Sequence, residues 1–265
     1  IIKLNKRRQR DAQQKTVVEG VRELAMALRS GLVPHEVFVC PELINTEEAT
    51  AVYQQLQTLE NKGQLSLFTV TPELYAKAAY RGQSGGMLAV VSYLNHTLTA
   101  LSFVLQPLLL IIDGGEKPGN LGAILRTADA AGIDAVIVSS PPGSGGTDIH
   151  NPNVIRASLG AIFALPVIEA EPESLLVWLR QNQIKVAVLT PEGERPYTET
   201  DLSIPIALVM GSEAFGVHQQ WLSAADILLT IPMVGSVDSL NLSVATAVVV
   251  FEALRQRRKK RQNTN

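Results

Sequence analysis

From Leu108 onward the chain repeats one pattern: a short, nearly unbroken apolar run, a loop, then a stretch with helical spacing. The runs lie at 108–112, 134–138, 185–190, 206–210 and 227–231, and the helical stretches near 120–131, 152–161, 172–183, 218–224 and 240–257. A strand that lacks in–out alternation is buried on both faces, and the intervening helices supply the cover. The pattern predicts an α/β fold with a parallel sheet between two helical layers. Periodicity alone leads to an ordinary doubly wound sheet, because knotted chains are nearly absent among folds.

Upstream the alternation is looser. Residues 17–28 have helical periodicity that stops at Gly31, and strands are expected at 37–40, 65–70 and 87–91, with helices at 47–60 and from Pro72 to Ala79. At 265 residues and 46% hydrophobic content, the chain has room for two cores. The expected division is an α/β domain over 1–94, a linker at 95–106 and a second domain over 107–265.

Three loops in the second domain gather polar residues. The run 108–112 leads into Asp113-Gly114-Gly115-Glu116-Lys117-Pro118-Gly119 and then a helix beginning near Asn120. The run 206–210 ends in Gly211-Ser212-Glu213-Ala214-Phe215-Gly216-Val217. After Ile231-Pro232-Met233 the chain breaks at Gly235-Ser236-Val237-Asp238 and restarts as Ser239-Leu240-Asn241-Leu242-Ser243. Ser and Asn are favoured at a helix entrance because their side-chain oxygens accept from unpaired backbone N–H groups, and one such cap suffices. Three in one turn read either as an over-capped start or as a surface for a polar ligand. Glycines at the loop positions let backbone approach a ligand closely.

Taken together, these segments resemble the SpoU (TrmH-like) branch of the SPOUT RNA methyltransferases. The motif Asn-x-Gly-x-x-x-Arg is matched by Asn120, Gly122 and Arg126, the Gly-x-Glu-x-x-Gly loop by Gly211, Glu213 and Gly216, and the third motif by Ile231-Pro232-Met233 through Ser243. The stretch from Asn153 to Ala161 is similar to the region linking the first two motifs. The resemblance implies a C-terminal SPOUT domain with a deep trefoil knot, preceded by a small α/β RNA-binding domain like a ribosomal-protein fold. It implies S-adenosylmethionine as cofactor, bound by knot loops near 208–216, 231–235 and 239–242, with Leu208, Met210, Gly211, Gly216, Ile231, Met233, Ser239 and Leu240 as contacts. The implied reaction is methyl transfer to a ribose 2′-hydroxyl of RNA, with ribosomal RNA favoured over transfer RNA. Arg126 carries the catalytic expectation, and Asn120, Glu213, Ser239 and Asn241 assemble the site around it. Because a guanidinium is rarely deprotonated, Arg126 fits a phosphate clamp better than a general base. Family members are homodimers, and Arg126 would then face the cofactor of the partner subunit. A departure from many relatives is Lys117, where an acidic residue is common.

Each residue also has a purely structural reading. Asn120 is a natural N-cap, Arg126 has Asp129 three residues on for an ion pair, and Met210 and Met233 suit core filling. The alternative function with this fold is a non-catalytic RNA-binding or ribosome-assembly factor. A nucleotide-binding Rossmann enzyme is weaker still, since no Gly-x-Gly-x-x-Gly turn follows the first run and no P-loop is present.

Charge is distributed unevenly. Lys3, Lys6, Arg7, Arg8, Arg10 and Lys15 crowd the first fifteen residues against Asp11 alone, and Arg255, Arg257, Arg258, Lys259, Lys260 and Arg261 crowd the tail. The net charge of −2 therefore sets an acidic body between two basic arms. Such arms suit phosphate contacts, or are simply solvated helix ends. Arg7, Arg8, Arg10, Lys117 and Arg156 are the expected RNA contacts. No apolar run approaches the roughly 20 residues of a membrane helix. The lone Cys40 fits a reducing, cytoplasmic setting, and the four histidines lack metal-ligand spacing, so no metal is expected. The chain opens on Ile1, which suggests a short preceding piece, and shows no signal-peptide pattern. The loop Pro141-Pro142-Gly143-Ser144-Gly145-Gly146 looks like an insertion.

Overall fold

The computed structural model describes residues 1–80, 84–103, 106–141, 146–213 and 215–262. Most of the insertion-like loop, residues 142–145, lies outside the described residues, as do 263–265 of the tail. The chain forms two compact units, Ile1–Leu94 with His150–Ala164, and Asn95–Ile149 with Leu165–Asn265.

In the first unit, α1 (Arg7–Gln13) leads into β1 (Lys15–Glu19), followed by α2 (Val21–Arg29), β2 (Glu36–Val39), α3 (Glu47–Asn61), β3 (Ser66–Thr69), α4 (Pro72–Ala78) and β4 (Met87–Ser92). The sheet order is β1-β4-β2-β3, with β4 antiparallel to both β1 and β2 and β3 parallel to β2. The helix expected over 17–28 is corrected here. Thr16-Val17-Val18 is β-branched and pairs in register with Ala89-Val90-Val91, and Gly20 at φ +116° turns the chain before the helix begins.

The stretch 150–164, placed by the sequence division in the second domain, packs within the first unit. The backbone carbonyl of His150 accepts a 2.6 Å hydrogen bond from Thr16 Oγ1, and its ring stacks on Tyr93 with centroids 3.6 Å apart. The short helix α6 (Pro152–Ala157), capped by Asn151, buries Val154 and Ile155 beside β1. Those apolar residues need cover that β1 provides.

The second unit contains β5 (Leu108–Asp113), α5 (Pro118–Ala131), β6 (Ala135–Ser139), β7 (Val167–Ala170), α7 (Pro172–Gln181), β8 (Lys185–Leu189), the two-residue β9 (Arg195–Pro196), β10 (Ile206–Met210), α8 (Gln219–Ala224), β11 (Ile227–Thr230) and α9 (Leu242–Gln262). Its seven strands are all parallel in the order β7-β6-β5-β10-β8-β11-β9. The five apolar runs are five of these strands. The other two, β7 and β9, are short edge elements with too little apolar sequence to stand out. Residues on one face, including Leu109, Ile111, Ile137, Val188 and Val209, form a core with Leu175 and Leu179 of α7 and Trp221 of α8. On the opposite side α9 runs along α5. Part of the expected linker is not free: Leu98, Leu101 and Phe103 pack on that core, Phe103 edge-on to Trp178.

The strand order reverses its direction of growth at β5, since β6 and β7 lie to one side and every later strand to the other. Parallel sheets bind ligands beyond the carboxyl ends of the strands at such a point. Among the described residues, no helix is long and apolar enough to cross a membrane.

Candidate functional site

The loops after β5 and β10 meet beyond those carboxyl ends, and the start of α9 joins them. Pro118 occupies the first turn of α5, so Lys117 is the N-cap and Asn120 lies one turn inside. The capping role read for Asn120 therefore does not apply. Its side chain is freed for other bonds: Nδ2 donates to Glu116 Oε1 at 2.9 Å, and Oδ1 accepts from Asn241 Nδ2 at 3.3 Å. The same Asn241 amide donates to Glu213 Oε1. Glu213 Oε2 lies 3.7 Å from Lys117 Nζ, and the Lys117 and Glu213 backbone N–H groups both donate to the Glu116 carboxylate. The result is a closed polar circuit through Glu116, Asn120, Asn241, Glu213 and Lys117, drawn from three segments far apart in sequence.

Asn241 is also the cap of α9. Its Oδ1 accepts from the Ser243 N–H at 3.0 Å and the Ser243 hydroxyl at 2.6 Å, while its carbonyl accepts from Val244 and Ala245. One residue thus both starts the helix and closes the circuit, so the polar excess at 239–243 does more than cap α9.

Beside this circuit opens a cavity of about 410 Å³. Of the residues named as cofactor contacts, Met210, Gly211, Gly216, Ile231, Met233, Ser239 and Leu240 line it, joined by Ser212, Glu213, Asp238 and Leu242. Leu208 does not; it is fully buried in mid-β10, paired in register with Leu110 and Ala187. The wall formed by Leu189, Thr190, Pro191 and Glu192 at the end of β8 was not foreseen. Its only signal is position, since β8 lies next to β10 in the sheet and its C-terminal loop shares that rim. Two glycines shape the loop after β10. Ser212 and Gly216 exchange backbone hydrogen bonds of 2.9 Å, Gly216 sits at φ +66°, and a Cβ on Gly211 would collide with the Gly216 backbone.

The cavity lining is acidic. Glu192, Glu213 and Asp238 contribute three carboxylates, and among the described residues none that lines the cavity is basic. The Thr190 hydroxyl bonded to Glu192, helped by a backbone N–H, holds that carboxyl below the usual range, so it is ionised at neutral pH. Among the described residues no group of histidine, cysteine or acidic side chains is arranged to hold a metal ion.

Arg126 stands apart from the circuit. It is exposed on α5 and does not line the cavity; among the described residues it makes no hydrogen bond or ion pair, and the pairing with Asp129 does not form. The basic N-terminal arm divides. Arg8 is exposed and Arg7 lies 3.7 Å from Asp11, but Arg10 is 1% exposed and donates to the Leu4 carbonyl at 2.7 Å. Arg10 is therefore corrected from an RNA contact to a buried brace of the N-terminal segment. Arg156 donates to Asn153 Oδ1 and lies 4.3 Å from the centre of the Tyr80 ring, a cation over an aromatic face. The Lys117 side chain is 81% exposed.

The model of the SpoU rRNA Methylase family matches residues 107–251, just over half the chain. The chain belongs to the SpoU rRNA methylase family. In this SpoU protein, residues 1–89 match a second model, the MRM3-like substrate binding domain. A crystal structure described as an RNA 2′-O ribose methyltransferase is similar over 96% of the SpoU chain and 93% of its own, with TM-score 0.81 and 37% identity. The AdoMet-bound rRNA methyltransferase from Sinorhizobium meliloti is similar over 95% and 91%, with TM-score 0.83 and 28% identity. The 23S rRNA (guanosine-2′-O-)-methyltransferase RlmB of Pseudomonas putida is 41% identical over 156 residues, which is 58% of the SpoU chain and 61% of RlmB. The SpoU chain thus matches less than two thirds of the length of that relative.

Proposed function

We propose that this protein is an S-adenosylmethionine-dependent RNA methyltransferase that modifies a ribose 2′-hydroxyl, acting on ribosomal RNA in the cytoplasm as a homodimer. The observation that carries the reading is the pairing of an acidic, glycine-shaped cavity with the Glu116–Asn120–Asn241–Glu213–Lys117 circuit at its edge. A lining with three carboxylates and no base suits a cationic ligand and repels a di- or triphosphate. Apolar walls from Leu189, Met210, Leu222 and Ile231 suit an adenine. S-adenosylmethionine fits both requirements and, when bound, supplies an electrophilic methyl group on a sulfonium.

The protein's own residues then have separable tasks. Gly211 and Gly216 bring backbone against the ligand, and the carboxylates offset its positive charge. The circuit fixes Asn120, Asn241 and Glu213 as donors and acceptors for the ribose. Arg126, without a partner among the described residues of its own subunit, is free to clamp a substrate phosphate bidentately across a dimer interface, with a phosphate oxygen or water taking the hydroxyl proton. Positioning of this kind supplies several kcal/mol toward the barrier. Exposed apolar residues on α9 and the preceding loop, Val244, Phe251, Val234 and Val237, suit burial against a second copy. The reading carries with it the knotted path of the C-terminal segment implied by the family resemblance. The RNA-binding role rests on the first unit, with Arg7, Arg8 and Arg156, and on Lys117.

Transfer of radiolabelled methyl to unmodified total RNA, followed by nucleoside analysis with Arg126→Ala as control, tests the reading. A 2′-O-methylated nucleoside absent from the control is the expected outcome. Loss of both S-adenosylmethionine binding and transfer in the unaltered protein would instead favour a non-catalytic RNA-binding factor.

A further inference from the structure

Glu116 takes part in no motif, yet its carboxylate accepts three hydrogen bonds at once. Oε1 accepts from Asn120 Nδ2 at 2.9 Å and from the Lys117 N–H at 2.7 Å, and Oε2 accepts from the Glu213 N–H at 3.2 Å. Its own N–H donates at 2.6 Å to Thr147 Oγ1, a hydroxyl that is nearly buried. The side chain is therefore fixed at its root by Thr147 and spans, at its tip, the start of α5 and the loop after β10.

We propose that Glu116 is a positioning residue for methyl transfer, holding Asn120 and the Glu213 loop in one geometry without itself lining the cofactor cavity. The inference rests on the proposed methyltransferase reading. The requirement for a carboxylate follows from acceptor capacity, since two oxygens offer four lone pairs with no donor to conflict. A glutamine in its place keeps one oxygen for Asn120 but turns an NH2 toward the Glu213 N–H, donor against donor. Placing a second carboxylate near Glu213 is electrostatically unfavourable, and Lys117, 3.7 Å from Glu213 Oε2, offsets it. Glu116 is absent from the cavity lining, so its loss removes no direct cofactor contact, while it releases Asn120 and the Glu213 N–H.

The test compares Glu116→Ala and Glu116→Gln with the unaltered protein in methyl-transfer kinetics on unmodified RNA, S-adenosylmethionine binding by calorimetry, and thermal unfolding. A misplacement of about 1 Å at a reacting centre lowers rate about a hundredfold, so Glu116→Ala is expected to lower kcat by roughly 10- to 100-fold and Glu116→Gln by less. Cofactor Kd should stay within about threefold, and the unfolding midpoint should not follow kcat. In an Asn120→Ala background, Glu116→Ala should add little, because the two residues act as one unit. A kcat for Glu116→Ala within about twofold of the unaltered protein overturns the proposal, as does a full multiplicative loss in the Asn120→Ala background. Absence of transfer by the unaltered protein defeats the methyltransferase reading itself, which separates the two failures.

Discussion

Asn241 uses the two ends of one amide for different purposes. Its Oδ1 caps α9 through Ser243, while its Nδ2 donates to Asn120 and Glu213. Substitution separates the roles. Asn241→Ala removes both, and should lower stability by about 1 kcal/mol as a lost cap while reducing methyl transfer at least tenfold. Asn241→Ser keeps a capping oxygen and loses the amide donors without adding a charge beside Glu213, so it should retain most of the thermal stability yet lose transfer just as fully; parallel unfolding and activity curves for the two variants check this. Arg126→Ala should behave differently again, lowering transfer with cofactor affinity and unfolding midpoint unchanged, because the side chain has no bond to lose among the described residues. A titration prediction belongs to Asp201. The Ser203 hydroxyl and then the Ser203 N–H, at 2.9 Å, hold its carboxyl below the usual range. A carboxylate depressed in the folded state contributes stability fully above the unfolded value, near pH 3.9, and loses it as pH falls toward the lower folded value. Asp201→Asn should therefore narrow the stability gap at neutral pH and flatten the acid limb below about pH 4, measured by denaturant unfolding at several pH values.

At the scale of elements, the loop after β10 depends on close backbone approach. Gly211→Ala places a methyl group where the Gly216 backbone lies, so the loop must shift and cofactor affinity should fall at least tenfold with the sheet intact by circular dichroism. Arg257 shows the opposite use of a residue that reads as part of a basic tail. Its guanidinium donates to the carbonyls of Leu202, Ile204, Gln106 and Pro107, tying α9 to the segments that enter β5 and β10. Burial lowers its pKa, though it remains charged at neutral pH. Arg257→Met should destabilise the unit by about 2–3 kcal/mol, since charge-assisted hydrogen bonds to four carbonyls, most of them partly buried, are lost. The strands β5, β6, β8, β10 and β11 were legible because each is a nearly continuous apolar run, and the loop glycines with Asn120, Glu213 and Asn241 were singled out through family resemblance. The first strand was not, because 15–28 joins a strand and a helix across Gly20 with apolar residues on both sides. Glu116 and the Glu192 wall were hidden for a related reason. Their neighbours are set by strand order, and order is not written in any single segment.

At the scale of the molecule, all the residues that line the cavity belong to the second unit. A chain limited to residues 95–265 should bind S-adenosylmethionine only to the extent that it tolerates loss of the packing partners of 150–164. A fragment ending at 94 should fold poorly, because it lacks His150, which stacks on Tyr93 and accepts from Thr16, and α6, which lies beside β1; limited proteolysis of both fragments distinguishes these outcomes. For the proposed homodimer, mixing Arg126→Ala with Asn241→Ala subunits should restore part of the lost transfer, and no recovery would count against a shared site. The path of the chain between units has a consequence for biogenesis. The polypeptide leaves the first unit after Leu94, builds β5, α5 and β6, and only then returns at His150. On a translating ribosome, the N-terminal unit cannot finish before the second has begun, whereas leading domains commonly finish first. Its last wall emerges when only two of the seven strands of the second sheet, β5 and β6, have been made, so a stall anywhere between residues 94 and 164 leaves both units open at once.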